Sequence, residues 1–222
     1  KKCALIVRNR REFVRRLEKF AIGNHSFLSD GKETISLFYE GSEGESVDEI
    51  EKNFADKLLE NREIDYRHGY THAGAQTDDL AVMLDGMDVR KFGSQGQQRC
   101  AALSLKLAEM DLYREEQGEY PVLLLDDVFS ELDKTRSKRL AKAISGYQTI
   151  ITCTHLSEEI EESLGQYKEF SVSGGIVTEK QIGHSCHPFQ QICPKNFAVS
   201  GLTKKFCCCI ISVQSMAIDE RT

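Results

Sequence analysis

The sequence predicts an α/β protein with a mainly parallel sheet, on three observations. The unbroken apolar run Val122-Leu123-Leu124-Leu125 ends in two aspartates, and such a run reads as a parallel strand buried on both faces. A helix around Thr135 to Ile144 follows, then the apolar, β-branched run Thr149 to Thr152, so strand, helix and strand within about thirty residues make a βαβ unit. A strong helix from Gln97 to about Glu116 precedes them.

Taken in order, Arg8 to Ala21 reads as an amphipathic helix, with Phe13, Val14, Leu17, Phe20 and Ala21 at helical spacing and arginines between them. Ser29-Asp30-Gly31 breaks it, and Thr34 to Tyr39 alternates like a strand. A Gly/Ser/Glu loop, Gly41 to Ser46, leads into a second helix from Val47 to Asn61. Leu80 to Val89 carries Asp85-Gly86 between apolar residues, a hairpin signal. Gly93-Ser94-Gln95-Gly96 reads as a glycine-punctuated loop before the Gln97 helix. Ser171 to Ile182 reads as a closing hairpin that turns at Ser173-Gly174-Gly175.

Composition narrows the function classes. With 40% apolar and 29% charged residues the chain is of ordinary globular type. A net charge of −6 excludes a globally basic nucleic-acid binder, so any such contact must come from a local patch. The apolar stretch Phe206 to Val213 is too short to span a bilayer, no signal peptide opens the chain, and a membrane partner is not expected. The first residue is Lys1 rather than methionine, as expected of a fragment or a processed chain. Cys3, Cys100 and Cys153 are scattered as isolated thiols are in a reducing cytosol, which points to a cytoplasmic protein.

Chemistry concentrates at the paired aspartates. A strand in an open α/β sheet delivers its terminal residues where such sheets place ligands. Mg²⁺ takes one or two protein carboxylates and completes its shell with waters and phosphate oxygens, a role open to Asp126. A second acid beside it, Asp127, is suited to orienting or deprotonating an attacking water. Upstream, the start of the Gln97 helix offers backbone N–H groups to an anion, and Ser94 adds a hydroxyl. Each feature also has a plain structural account: solvated aspartates at a strand end, and a glycine turn that caps a helix.

The surrounding residues join these features. Phe92-Gly93-Ser94-Gln95-Gly96-Gln97-Gln98-Arg99, then Leu123 to Asp127, then Val128-Phe129-Ser130-Glu131-Leu132-Asp133 resemble, in order and spacing, the ABC ATPase head in the form found in the RecF family. Gly74 to Leu80 resembles that family's Gly-Pro-His-Arg-Asp-Asp-Leu element, with Ala75, Gln76 and Thr77 in place of Pro, His and Arg. The resemblance runs from about Arg8 to Gln181. It implies the C-terminal half of an ABC-type P-loop ATPase head with a mainly parallel sheet, plus the end of a helical arm. The arm and its connecting strand and helix would be 1–61, the head 62–181, and a non-matching, unstructured tail 182–222.

The same resemblance implies roles. Ser94, Gln95, Gly96, Gln97 and Gln98 form the signature that meets the γ-phosphate of ATP on a partner subunit. Asp126 is the Mg²⁺-associated acid, Asp127 the catalytic acid, His155 the switch histidine at the γ-phosphate, and Asp133 a residue acting across the dimer or capping the next helix. ATP, Mg²⁺, an ATP-dependent homodimer, RecR- and RecO-type partners and single-stranded or gapped DNA follow as implied associates, in replication, recombinational repair and the SOS response. Arg8, Arg10, Arg11, Arg15, Arg16 and Lys19 form a basic stripe that would meet DNA phosphates or lie as a solvated, salt-bridged helix face. The chain contains no Gly-x-x-x-x-Gly-Lys-Ser/Thr sequence, so it is expected to bind ATP weakly or not at all by itself. A chromosome-organising SMC-type head, another ABC ATPase and an inactive structural remnant are the alternatives. His184, Cys186, His187 and Cys193 match no paired zinc-ligand spacing, and the cysteine-rich tail is read as having no site.

Overall fold

The computed structural model describes residues 1–165, 167–173, 176–180 and 208–213. By packing, the chain divides into two compact units, Lys1–Glu119 and Tyr120–Thr222. The sequence division after Asn61 is not the packing division, because the first helix and strand share a core with residues 80–108.

The first unit is organised around helix α1, Lys2–Ser29, which extends beyond the predicted Arg8–Ala21 at both ends. Its buried residues Ala4, Val7, Val14, Leu17, Ala21, His25 and Leu28 recur every three or four positions through most of its length, which keeps one stripe facing the core. The helix ends where Asp30 (φ 65°) and Gly31 (φ 68°) turn left-handed and return N–H groups to Ser26 O. Strand β1, Ile35–Glu40, pairs antiparallel with β2, Asp79–Leu84, in the register Ile35↔Leu84 to Glu40↔Asp79. The predicted hairpin joins β2 to β3, Met87–Asp88, and Asp85 and Gly86 both take positive φ (49° and 80°), the requirement of a two-residue turn between twisted strands.

Between β1 and β2 lie α2, Val47–Glu60, and α3, Arg62–His68. Ser46 and Glu49 close a capping box at the start of α2, and the Glu49 carboxyl is held below its usual range by the backbone N–H groups of Glu45 and Ser46. A short helix α4, Val89–Phe92, leads to α5, Gln95–Gln117, which runs into Gly118 (φ 78°). Val14, Leu17 and Ala21 of α1, Ile35 and Leu37 of β1, Leu84 of β2, and Ala101 and Ala108 of α5 form one core.

The second unit holds a five-stranded sheet in the order β4-β5-β8-β6-β7. Its strands are β4, Leu123–Asp126; β5, Thr149–Cys153; β6, Tyr167–Ser173; β7, Ile176–Lys180; and β8, Cys208–Val213. Helix α6, Lys134–Ile144, makes the crossover from β4 to β5, which pair in parallel as the βαβ reading requires. Helix α7, Glu158–Leu164, follows β5. Strands β6 and β7 form the predicted antiparallel hairpin from Ser173↔Ile176 outward; its Gly174-Gly175 turn lies outside the described residues.

Two expectations are corrected. The tail is not structureless throughout, because Cys208–Val213 forms β8, parallel to both β5 and β6 and seated between them. Its apolar, partly β-branched composition suits a strand. The run at 122–125 is not buried on both faces. Leu123 and Leu125 are buried, whereas Val122 and Leu124 are exposed, Leu124 by 67%. β4 is an edge strand with one open face, so alternation replaces full burial.

Candidate functional site

In the second unit the candidate residues gather at the carboxyl ends of two neighbouring strands. The β4–β5 register sets Asp126 opposite Thr152. The Thr152 hydroxyl donates to Asp126 Oδ1, and its oxygen lies 3.2 Å from the backbone nitrogen of Asp127, which also donates to Thr152 O at 3.0 Å. Asp127 thereby leaves the strand in a left-handed conformation (φ 48°, ψ 25°). A 3-10 turn, Val128–Glu131, continues from it, and the Ser130 hydroxyl closes the turn on Asp127 O at 2.8 Å. Both aspartates are exposed. His155 is exposed in the loop after β5, three residues beyond Thr152. Sequence reading missed Thr152, whose hydroxyl organises both acids; its position in a β-branched strand beside a strand ending in acids was the available signal.

Asp133 is the N-cap of α6 and accepts the backbone N–H groups of Thr135 and Arg136, each at 3.0 Å. The capping account of this residue is therefore realised in the fold.

In the first unit the Ser94–Gln98 segment begins α5 two residues earlier than expected. Helix geometry starts at Gln95, so Gln95 and Gly96 lie in its first turn and Ser94 is the N-cap. Ser94 and Gln97 close a capping box: Gln97 N–H donates to Ser94 Oγ at 3.3 Å, and Ser94 N–H donates to Gln97 Oε1 at 2.9 Å. The Gln97 N–H expected to be free is thus engaged. Gln98 Nε2 donates to Val89 O at 3.2 Å and Gly93 O at 3.1 Å. Gly93 is required by close approach, since a Cβ there would meet Val89 O at 2.5 Å.

The basic stripe is largely turned to internal use. Arg10 donates to Ala75 O, and Arg11 to Ser42 O and Gly44 O. Arg15 pairs with Glu12 at 2.8 Å, and Arg16 with Glu115 and Glu116 at 2.9 and 2.7 Å. Arg8 and Lys19 are exposed. In the Gly74–Leu80 element, Ala75 is buried in a 3-10 turn and Asp79 pairs with Arg90 at 2.7 Å. The Arg90 guanidinium, followed by the Leu80 N–H, holds the Asp79 carboxyl below its usual range.

Among the described residues no cluster of three or more His, Cys, Asp or Glu side chains could hold a metal by itself. His184, Cys186, His187 and Cys193 lie outside the described residues. No described helix is long and apolar enough to cross a membrane.

Comparison with known proteins gives these sites a context. A "DNA replication and repair protein RecF" from Halothermothrix orenii is 47% identical over 181 residues, covering 79% of this chain and 48% of that protein. Another, from Shouchella clausii, is 42% identical over 181 residues, with 79% and 49% covered. The chain spans about half the length of the curated relatives it matches. Among solved structures, the recombination mediator protein RecF with ATP in the RecFOR pathway superposes with a TM-score of 0.67 at 32% identity, over 81% of this chain and 47% of that RecF. A second RecF structure from the same pathway gives 0.64 at 32% identity. No family model matches the chain. The α/β fold with its parallel sheet is thus the fold of the matched half of RecF.

Proposed function

We propose that this chain is the signature-and-metal part of a RecF-type, ATP-switched DNA-binding protein of replication and recombinational repair. The observation that carries the reading is the Asp126–Asp127 pair at the end of β4, beside Thr152 of the parallel β5, in a chain 47% identical to a RecF protein. The donor set fits a divalent cation of the Mg²⁺ type, because two exposed carboxylates at one strand end leave most of the coordination shell to water and phosphate. Asp126 would hold the metal, which when bound neutralises charge on a phosphate. Asp127 would orient the attacking water, and His155 would donate to the γ-phosphate. Ser94, Gln95, Gly96, Gln97 and Gln98 would meet the phosphate on a partner subunit, with Asp133 at that dimer contact.

The phosphate grip itself has no fit here, since none of the 222 residues forms a P-loop sequence. ATP binding therefore depends on residues beyond these, and single-stranded or gapped DNA, RecO- and RecR-type partners, an SOS-linked role and a cytoplasmic location come with the same reading. The test is a chimera in which this chain replaces the matching half of Halothermothrix orenii RecF. We expect ATP hydrolysis in the chimera, reduced about 100-fold or more by Asp127→Asn and similarly by Asp126→Asn. A folded chimera that binds ATP but hydrolyses none would identify the chain as an inactive remnant and overturn the reading.

A further inference from the structure

One buried histidine lies outside every role assigned above. His25, near the end of α1, is fully buried, as is Ser104 on α5. The Ser104 hydroxyl has one proton, which it donates to Cys100 O at 2.7 Å. Its oxygen must then accept from His25 Nδ1, 2.9 Å away, which fixes the proton on that nitrogen. The other ring nitrogen, Nε2, faces Glu33 Oε2 at 3.3 Å. Glu33 stands between the α1 terminus and β1, and its side chain is only 14% exposed.

The second oxygen of Glu33 reaches the signature segment. Gln97 Nε2 donates to Glu33 Oε1 at 3.0 Å, while the same amide accepts Ser94 N–H at Oε1. The two ends of an amide are nearly equal in size and opposite in hydrogen-bonding sense. Turned over, the amide would set its NH₂ against the Ser94 N–H and its oxygen against the Glu33 carboxylate, two repulsive contacts in place of two bonds.

We propose that Glu33 is the positioning residue of the Ser94–Gln98 segment. It holds the Gln97 amide in the orientation that completes the Ser94 cap, while its other oxygen faces His25 Nε2 on α1 at 3.3 Å. The consequence for nucleotide rests on the reading above. A phosphate that recruits the Ser94 hydroxyl or the Gln97 N–H disturbs the capping box, and through the Gln97 amide the disturbance reaches Glu33. By linkage, a change at Glu33 that alters the capping box alters the affinity of the segment for phosphate by the same factor.

The test is amide hydrogen exchange on the chain itself without nucleotide, so its outcome is independent of whether this segment ever meets ATP. The quantity read is protection at Ser94 and Gln97 relative to Leu107 in the middle of α5, which removes any global loss of stability. Glu33→Ala should lower this ratio about tenfold, the loss expected for a broken cap. Glu33→Asp, which withdraws the carboxylate by one methylene, should lower it too and serves if the alanine variant does not fold. Glu33→Gln should restore it, because its oxygen still accepts from Gln97 and its NH₂ can donate to His25 Nε2. A ratio unchanged in the alanine or aspartate variant, or not restored by glutamine, overturns the proposal.

Discussion

Asp127 holds a backbone conformation, φ 48° and ψ 25°, that residues with a Cβ adopt at a cost of roughly 1–2 kcal/mol. The bonds from its N–H to Thr152 and from Ser130 to its carbonyl over-determine that conformation, as is common where strain aims a functional side chain. Asp127→Gly should therefore raise the stability of the chain by about 0.5–1 kcal/mol in urea unfolding while deleting the proposed catalytic acid. The Asp79–Arg90 pair makes a second residue-scale prediction. Because the folded carboxyl titrates below its unfolded value, the pair contributes stability above the unfolded value, and the contribution is lost as pH falls through the lowered folded value. Arg90→Gln should move the Asp79 midpoint up toward the ordinary value of about 3.9, read by carboxyl NMR titration.

At the scale of elements, the sequence gives away whatever depends on local pattern. The β4–α6–β5 unit, the Asp85-Gly86 hairpin and α2 follow from runs, turn residues and caps that act over a few positions. The start of α5 was missed because Gln95 and Gly96 read as loop residues until the capping box of Ser94 and Gln97 is seen. The length of α1 was missed because polar residues such as Asn24 and His25 interrupt the apolar pattern, although His25 is buried against Ser104. The Glu33–Gln97 bond joins residues 64 positions apart and leaves no local mark. Strand β4 carries the sharpest test of alternation over continuous burial. Leu125→Ala should cost about 2–5 kcal/mol in urea unfolding, and Leu124→Ala should stay within about 0.5 kcal/mol. Equal costs would mean that both faces are covered.

For the whole molecule, charge sets the terms of any contact with nucleic acid. Lysines and arginines number 29 against 35 acids, and four of the six cations in the α1 stripe are committed to internal carbonyls or carboxylates. If Arg8 and Lys19 remain as the phosphate contacts on that helix, DNA binding by the stripe should show a log–log salt slope no steeper than about −2, measured by fluorescence anisotropy from 50 to 200 mM salt. A slope of about −5 would require the arginine bonds to open on DNA.

The placement of β8 also bears on how the second unit comes together during synthesis. Among the described residues, β8 is the only strand between the β6–β7 hairpin and the β4–β5 pair in the sheet order, and without it no described strand links the two. A ribosome delivers the hairpin before it delivers Cys208–Val213, so the hairpin must wait as a separate piece with two open edges. Closure then comes from a late, non-local strand entering parallel on both sides, the kind of pairing that folds slowly and leaves edges exposed to other chains in the meantime.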